Sequence, residues 1–389
     1  GQRQMCIRDR IETKFPEFSL SRLLLNTFKP KENERICILI DLPDISLVKD
    51  WAFLNNDNFS IQRHAYDSFY KALHKDVMRE LQLTGGDFFA YKETGGSNLD
   101  LPDLAIAPDG SELSLENDVY PNYDIILCIS TYSATAPLTA FAKQFGFRGA
   151  TLHGVNDIIL RSGLAVDYNE VSKDAEKLRL ALTRADHFEI DFQVENKIYT
   201  LKLECDQQEA QKSHGICLVN EPDVANLPAG EVYFVPTGGE GEFIMQYGDG
   251  TIGLQTVEKG KIINSSLIRG NQSTIDEHNK KIESDPVTGE LGELGFGTQE
   301  LPVSGRDIQD EKILGTMHVA TGRSDHLGGS LTPDKFAKPI NATHDDILFS
   351  PSKTPDITVC EVRMQRDDKT IVVLENYQPA AHLRDALST

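Results

Sequence analysis

No apolar run in this 389-residue sequence approaches the roughly 20 residues that a membrane-spanning helix needs, so a helical membrane protein is excluded from the outset. Positive charge is also scarce: 39 Lys and Arg stand against 60 Asp and Glu, a formal charge of −21. Such a surface repels polyphosphate and anionic lipid, which argues against nucleic-acid and membrane partners. The six cysteines (Cys6, Cys37, Cys128, Cys205, Cys217, Cys360) form no C-x-x-C pair and no framework spacing. A disulfide scaffold is therefore not expected; the thiols read as reduced core residues of a cytoplasmic protein. The first residues, "GQRQMCIRDR", lack the charge, apolar run and cleavage site of a signal peptide. "MCIRDR" looks like a translated sequencing-library end, and residues 1–14 are read as an artefactual or disordered leader. Internal repeats and low-complexity tracts are missing too.

What is present fits a soluble globular chain, 39% hydrophobic and 25% charged, too long for one core and so expected to form two domains. From 15 to 186 short β runs alternate with helical ones. "RICILID" (35–41), "DFFAYK" (87–92), "YDIILCIS" (123–130) and "GATLHG" (149–154) read as strands, with helices over 61–81, 136–146 and 169–186. A βαβ alternation predicts an α/β domain on a parallel sheet. From 187 to 389 the pattern becomes mainly antiparallel β, starting with a hairpin over 187–205 that turns at Glu195-Asn196-Lys197, with one helix near 273–284.

Acids and histidines stand in strand-like runs of this second half, where an ordinary sheet holds apolar residues. In "NATHDDILF" His344 and Asp346 are two apart, which turns both side chains to one face of a strand. His318 in "GTMHVATG" shares its face with Thr316 and Ala320, and Glu293 in "LGELGFG" shares its face with Gly295 and Gly297. Such small neighbours leave room for an ion. With Glu231 in "AGEVYFVP", these five residues make a mixed carboxylate and imidazole set suited to Zn²⁺, Mn²⁺, Co²⁺ or Fe²⁺. Elsewhere, "PTGGEGEF" (236–243) lacks the Lys-Ser/Thr of a phosphate loop and reads as a turn or lid. "TGGS" (94–97) and "STYSATAP" (130–137) follow parallel strands, where ligands often bind.

In order and spacing, "NLPAGEVYFVP", "GELGFGT", "HVATG" and "HDD" resemble the aminopeptidase T family of metallopeptidases, from about residue 150 onward. The resemblance implies metal ligands at Glu231, Glu293, His318, His344 and Asp346, and a homodimer. Where the family has tyrosine seven residues after its first histidine, this chain has Asp325. The expected activity is that of a hydrolase, a metalloprotease releasing amino-terminal residues from a small peptide or amide. Two ions, Zn, Co or Mn, would activate a shared water. Asp325 or His326 would serve as general base, and Tyr233 as donor to the oxyanion. Dihydroxypyridine ring-cleaving dioxygenases share the scaffold but hold one Fe²⁺, with a histidine where this chain has Glu293. A mononuclear Fe(II) dioxygenase acting on a hydroxylated ring is thus the alternative.

Overall fold

The computed structural model describes residues 15–389, so the leader assigned to 1–14 lies outside the described residues. The chain divides into two compact units. One comprises the chain up to Ser172 together with His214–Ala229; the other comprises Lys173–Ser213 and Gly230–Thr389.

The first unit is built on a seven-stranded sheet. Its central strand, Arg35–Leu42, is buried from its second residue onward. An uninterrupted Ile, Leu and Cys run suits burial on both faces of a parallel sheet. It pairs in parallel with Thr84–Lys92 on one side and Ile125–Ile129 on the other. Arg148–Thr151 and then Val224–Asn226 extend the parallel side. Two short antiparallel strands, Leu104–Ile106 and Glu112–Ser114, close the opposite edge. The helix Thr135–Phe145 ends at Gly146 in the left-handed conformation, as helix C-termini often do.

All strand pairs of the second unit are antiparallel. An eight-stranded sheet includes the expected hairpin, His187–Val194 paired with Lys197–Glu204. Glu195 and Asn196 both take positive φ, as a two-residue hairpin turn requires. The smaller sheet has five strands, in the order His344–Phe349, Met317–Gly322, Leu291–Gly297, Glu231–Phe234 and Gln211–Ser213. Alternation gives each inner strand of this sheet one oily face. Val232, Phe234, Leu294, Phe296, Val319 and Phe349 join Phe188, Ile190 and Phe192 of the large sheet in a shared core. Phe192 and Phe349 stand 4.9 Å apart, and Phe188 lies 5.2 Å from Phe234. Each such side chain contributes about 1.5–3 kcal/mol by leaving water, which fixes the register of the small sheet and hence of its opposite face.

Candidate metal centre

That opposite face carries the acids and histidines. Glu231 is paired with Gly297 across the ladder, Gly295 with His318, and Ala320 with both Glu293 and Asp346. Each charged side chain thus stands opposite a residue with little or no side chain. The need is strictest at Gly295, where a Cβ would lie 2.3 Å from His318 Nε2; the imidazole lies over the glycine backbone.

The two histidines converge on one carboxylate. His344 Nε2 is 3.0 Å from Glu293 Oε1, and His318 Nε2 is 3.1 Å from Glu293 Oε2. Asp346 Oδ1 is 3.1 Å from His344 Nε2, and Glu231 Oε2 is 3.5 Å from His318 Nε2. His344 Nδ1 donates to the Arg323 carbonyl at 2.6 Å, which fixes the ring so that Nε2 faces the carboxylates. Metal–ligand bonds of ~2.1 Å place neighbouring ligand atoms ~3.0 Å apart in an octahedron and ~3.4 Å in a tetrahedron. The spacings around Glu293, His344 and Asp346 fall in that range, and the Glu231–His318 spacing of 3.5 Å lies just above it.

Hydrogen bonding gives an independent test of fit. Among the described residues, Glu231 Oε2, Glu311 Oε2, Asp346 Oδ1, His318 Nδ1 and His326 Nδ1 are buried without a hydrogen-bond partner. Buried acceptors left bare cost roughly 1–3 kcal/mol each, so this concentration marks a place completed from outside the chain. Three ligand groups can be drawn from the cluster: Glu231 with Glu293 and His318, Glu293 with His344 and Asp346, and Glu311 with His318 and Asp346.

The cluster stores charge internally. Burial opposes ionisation of His344, yet Asp346 and Glu293 outweigh it and hold the imidazolium well above its usual range. His318 is raised in the same way, against burial, chiefly by Glu293. Burial pushes Glu231 up to about 7, although Lys312 and His318 pull it back. Burial and the neighbouring His344 drive His326 well below its normal value, so its ring is neutral. A dication in place of the two histidine protons satisfies the same carboxylates and frees both Nε2 atoms as ligands.

Of the residues expected from sequence, Glu231, Glu293, His318, His344 and Asp346 come together. His326 stands beside them, its ring perpendicular to that of His344 at 4.7 Å. Asp325 is held in a fork by Arg323, at 2.8 and 3.2 Å, and belongs to none of the three ligand groups. Tyr233 donates to Gln211 Oε1 at 3.3 Å, and Gln211 donates in turn to the Leu327 carbonyl, so this tyrosine steadies the turn that bears His326. Sequence reasoning missed Glu311 and Lys312. They lie in "DIQDEKIL", whose polar composition reads as a solvated turn, yet Glu311 is 3% exposed and Lys312 not at all.

No family model matches the sequence, and no curated protein matches it. Among solved structures the fold is similar to 2,5-dihydroxypyridine dioxygenase from Pseudomonas putida KT2440, with a TM-score of 0.58 and 14% identity over 90% of this chain and 92% of that one. This finding corrects the expectation of a hydrolase: no family model or curated protein supports the aminopeptidase and metalloprotease reading, and this structural neighbour is a dioxygenase, an oxidoreductase. The motifs that carried the peptidase resemblance encode strands that present ligands, and such strands serve more than one chemistry. What the comparison shows of this chain is its fold: a parallel α/β unit and an antiparallel β unit, similar over nearly its whole length to a dioxygenase.

Proposed function

We propose that this protein is a mononuclear, metal-dependent dioxygenase acting on a hydroxylated aromatic or pyridine ring, with Fe²⁺ held by Glu293, His344 and Asp346. One observation carries the reading: a compact group of two carboxylates and one imidazole, with bare buried oxygens around it, on a fold similar to that of a dioxygenase. Open oxygenase sites on Fe(II) use three protein ligands, commonly two histidines and one carboxylate. Here Glu293 takes one imidazole position, and His318 stands 3.1 Å behind it as donor to its second oxygen. Fe²⁺ supplies the redox chemistry with dioxygen when bound.

The remaining work falls to the chain. The Arg323 carbonyl orients His344, and His318 orients Glu293. His326, neutral and with Nδ1 unpartnered, is the group placed to accept a hydrogen bond from a ring hydroxyl and orient it. Arg323, 2% exposed and forked onto Asp325, fixes the loop that carries His326. Among the described residues no helix is long and apolar enough to cross a membrane. A cytoplasmic setting is part of the proposal, resting on the scattered cysteines.

The test is oxygen uptake. Protein reconstituted anaerobically with Fe²⁺ should consume oxygen when given 2,5-dihydroxypyridine or a related dihydroxylated ring, and His326→Ala should slow it without loss of metal. Iron-loaded protein that consumes no oxygen with any hydroxylated ring would defeat the proposal.

A further inference from the structure

Lys312 is completely buried beside the centre. Its ammonium donates to Glu311 Oε1 at 2.8 Å and to the Ile308 carbonyl at 3.0 Å. Its backbone is equally fixed: the Lys312 carbonyl accepts from the N–H groups of Thr298 and Gln299, just past the strand that carries Glu293. Gly297 makes this approach possible, because a Cβ there would lie 2.2 Å from the Ile313 carbonyl oxygen. A buried lysine is costly unless paired, and one held this firmly has an electrostatic task.

The ligand set holds more carboxylate than one dication requires. Glu231, Glu293, Glu311 and Asp346 all face the cluster, and three overlapping groups could each accept an ion. Lys312 does not bear on the three equally. It is bonded to Glu311 and lies within electrostatic reach of Glu231, so it discourages a cation at the two groups that contain those residues. In the group without either, Glu293 with His344 and Asp346, it bears on Asp346, though less than on Glu311 and Glu231.

We propose that Lys312 limits this centre to one divalent ion, its ammonium, fixed on Glu311, carrying the charge that a second cation would otherwise bring. The inference rests on the assignment of that ion to Glu293, His344 and Asp346. Lys312 donates to Glu311 and the Ile308 carbonyl and bears on a ligand of the single ion, Asp346, only through space, which makes it a specificity-determining residue for metal number. Like charges a few ångströms apart at a buried site weaken binding steeply, here on the order of a thousandfold for a second ion.

Metal stoichiometry tests this without reference to activity. Full-length protein is dialysed to equilibrium against Mn²⁺, and metal per chain is measured by elemental analysis. The parent and Lys312→Arg should hold one Mn²⁺. Lys312→Met should hold two, since Glu231, Glu293 and His318 are then open to a second ion. Lys312→Gln, which removes the charge but keeps a hydrogen-bond donor for Glu311, should also hold two. Two ions in the parent would overturn the inference, as would one ion in both charge-removing variants. A parent that binds one Mn²⁺ but consumes no oxygen when iron-loaded supports the inference on metal number and defeats only the dioxygenase reading.

Discussion

Each unit of this protein buries carboxylates, and it treats them in opposite ways. Asp41, at the end of the central strand of the parallel sheet, is 1% exposed. Its Oδ1 accepts from Gln62 Nε2 and the Thr131 N–H, both at 2.8 Å, and its Oδ2 accepts from the Tyr132 N–H at 3.2 Å. Burial raises its pKa, and these three donors work against the rise. In the antiparallel unit, Glu231 and Glu311 are also buried, and the Oε2 atom of each, like Oδ1 of the partly exposed Asp346, is shielded from solvent without a hydrogen bond. The chain completes the first site with its own donors and leaves the second open. Burial of an acid alone therefore does not mark a functional site; burial without donors does.

The largest effect separating the two sites should come from His344→Ala. Loss of a ligand whose Nε2 is shared by Glu293 and Asp346 should cut bound metal at least tenfold and lower oxygen uptake by several orders of magnitude. The metal-free variant should still melt cooperatively, since the imidazole belongs to the open site and not to the core. Elemental analysis and calorimetry check both outcomes.

Metal itself should discriminate next. Mn²⁺ at about a hundred times its Kd should stabilise the protein by about 2.7 kcal/mol. In hydrogen exchange, amides of the strands Leu291–Gly297, Met317–Gly322 and His344–Phe349 should gain protection while those of Arg35–Leu42 do not. Equal protection of Asp41 and its neighbours would erase the distinction between the sites.

Asp41→Asn is the converse. An amide cannot accept from three donors as the carboxylate does, so stability should fall by about 2 kcal/mol with metal content unchanged. Chemical denaturation of parent and variant, each assayed for bound Mn²⁺, measures both.

A partnered histidine gives the smallest contrast. His278 contacts the Tyr247 hydroxyl through Nδ1, and burial pushes its pKa down to about 4, below an unfolded value near 6.5. The folded state prefers the neutral ring, so this stability is fully present above pH 6.5 and is lost as pH falls toward 4. The loss is about 1–2 kcal/mol after allowance for partial exposure. His278→Gln should flatten that part of the stability profile relative to the parent.

Much of this was legible in the sequence, for a physical reason. Strands of a two-layer β unit must be oily on one face, so Glu231, Glu293, His318, His344 and Asp346 stood out as charges where the other face of an ordinary strand would be plain. The same alternation put Gly295 and Ala320 beside them. The hairpin at Glu195-Asn196 and the parallel strand at Arg35–Leu42 were readable because turn chemistry and apolar runs are local signals. Glu311 and Lys312 were not, since a buried ion pair and a solvated turn have the same composition, and only the close approach over Gly297 distinguishes them. Nor was the return of Val224–Asn226 to the first sheet, a three-residue parallel pairing with Gly149–Thr151 that carries no local pattern. The chemistry was the part read wrongly, because ligand-bearing strands record where an ion sits and not what is done with it.

Anomalous diffraction from a Mn²⁺-soaked crystal measures the central claim directly. One peak in contact with Glu293, His344 and Asp346, at about 2.0–2.3 Å from each, is the expected result. A peak held by Glu231, Glu293 and His318 instead, or no peak in the antiparallel unit at all, would contradict it.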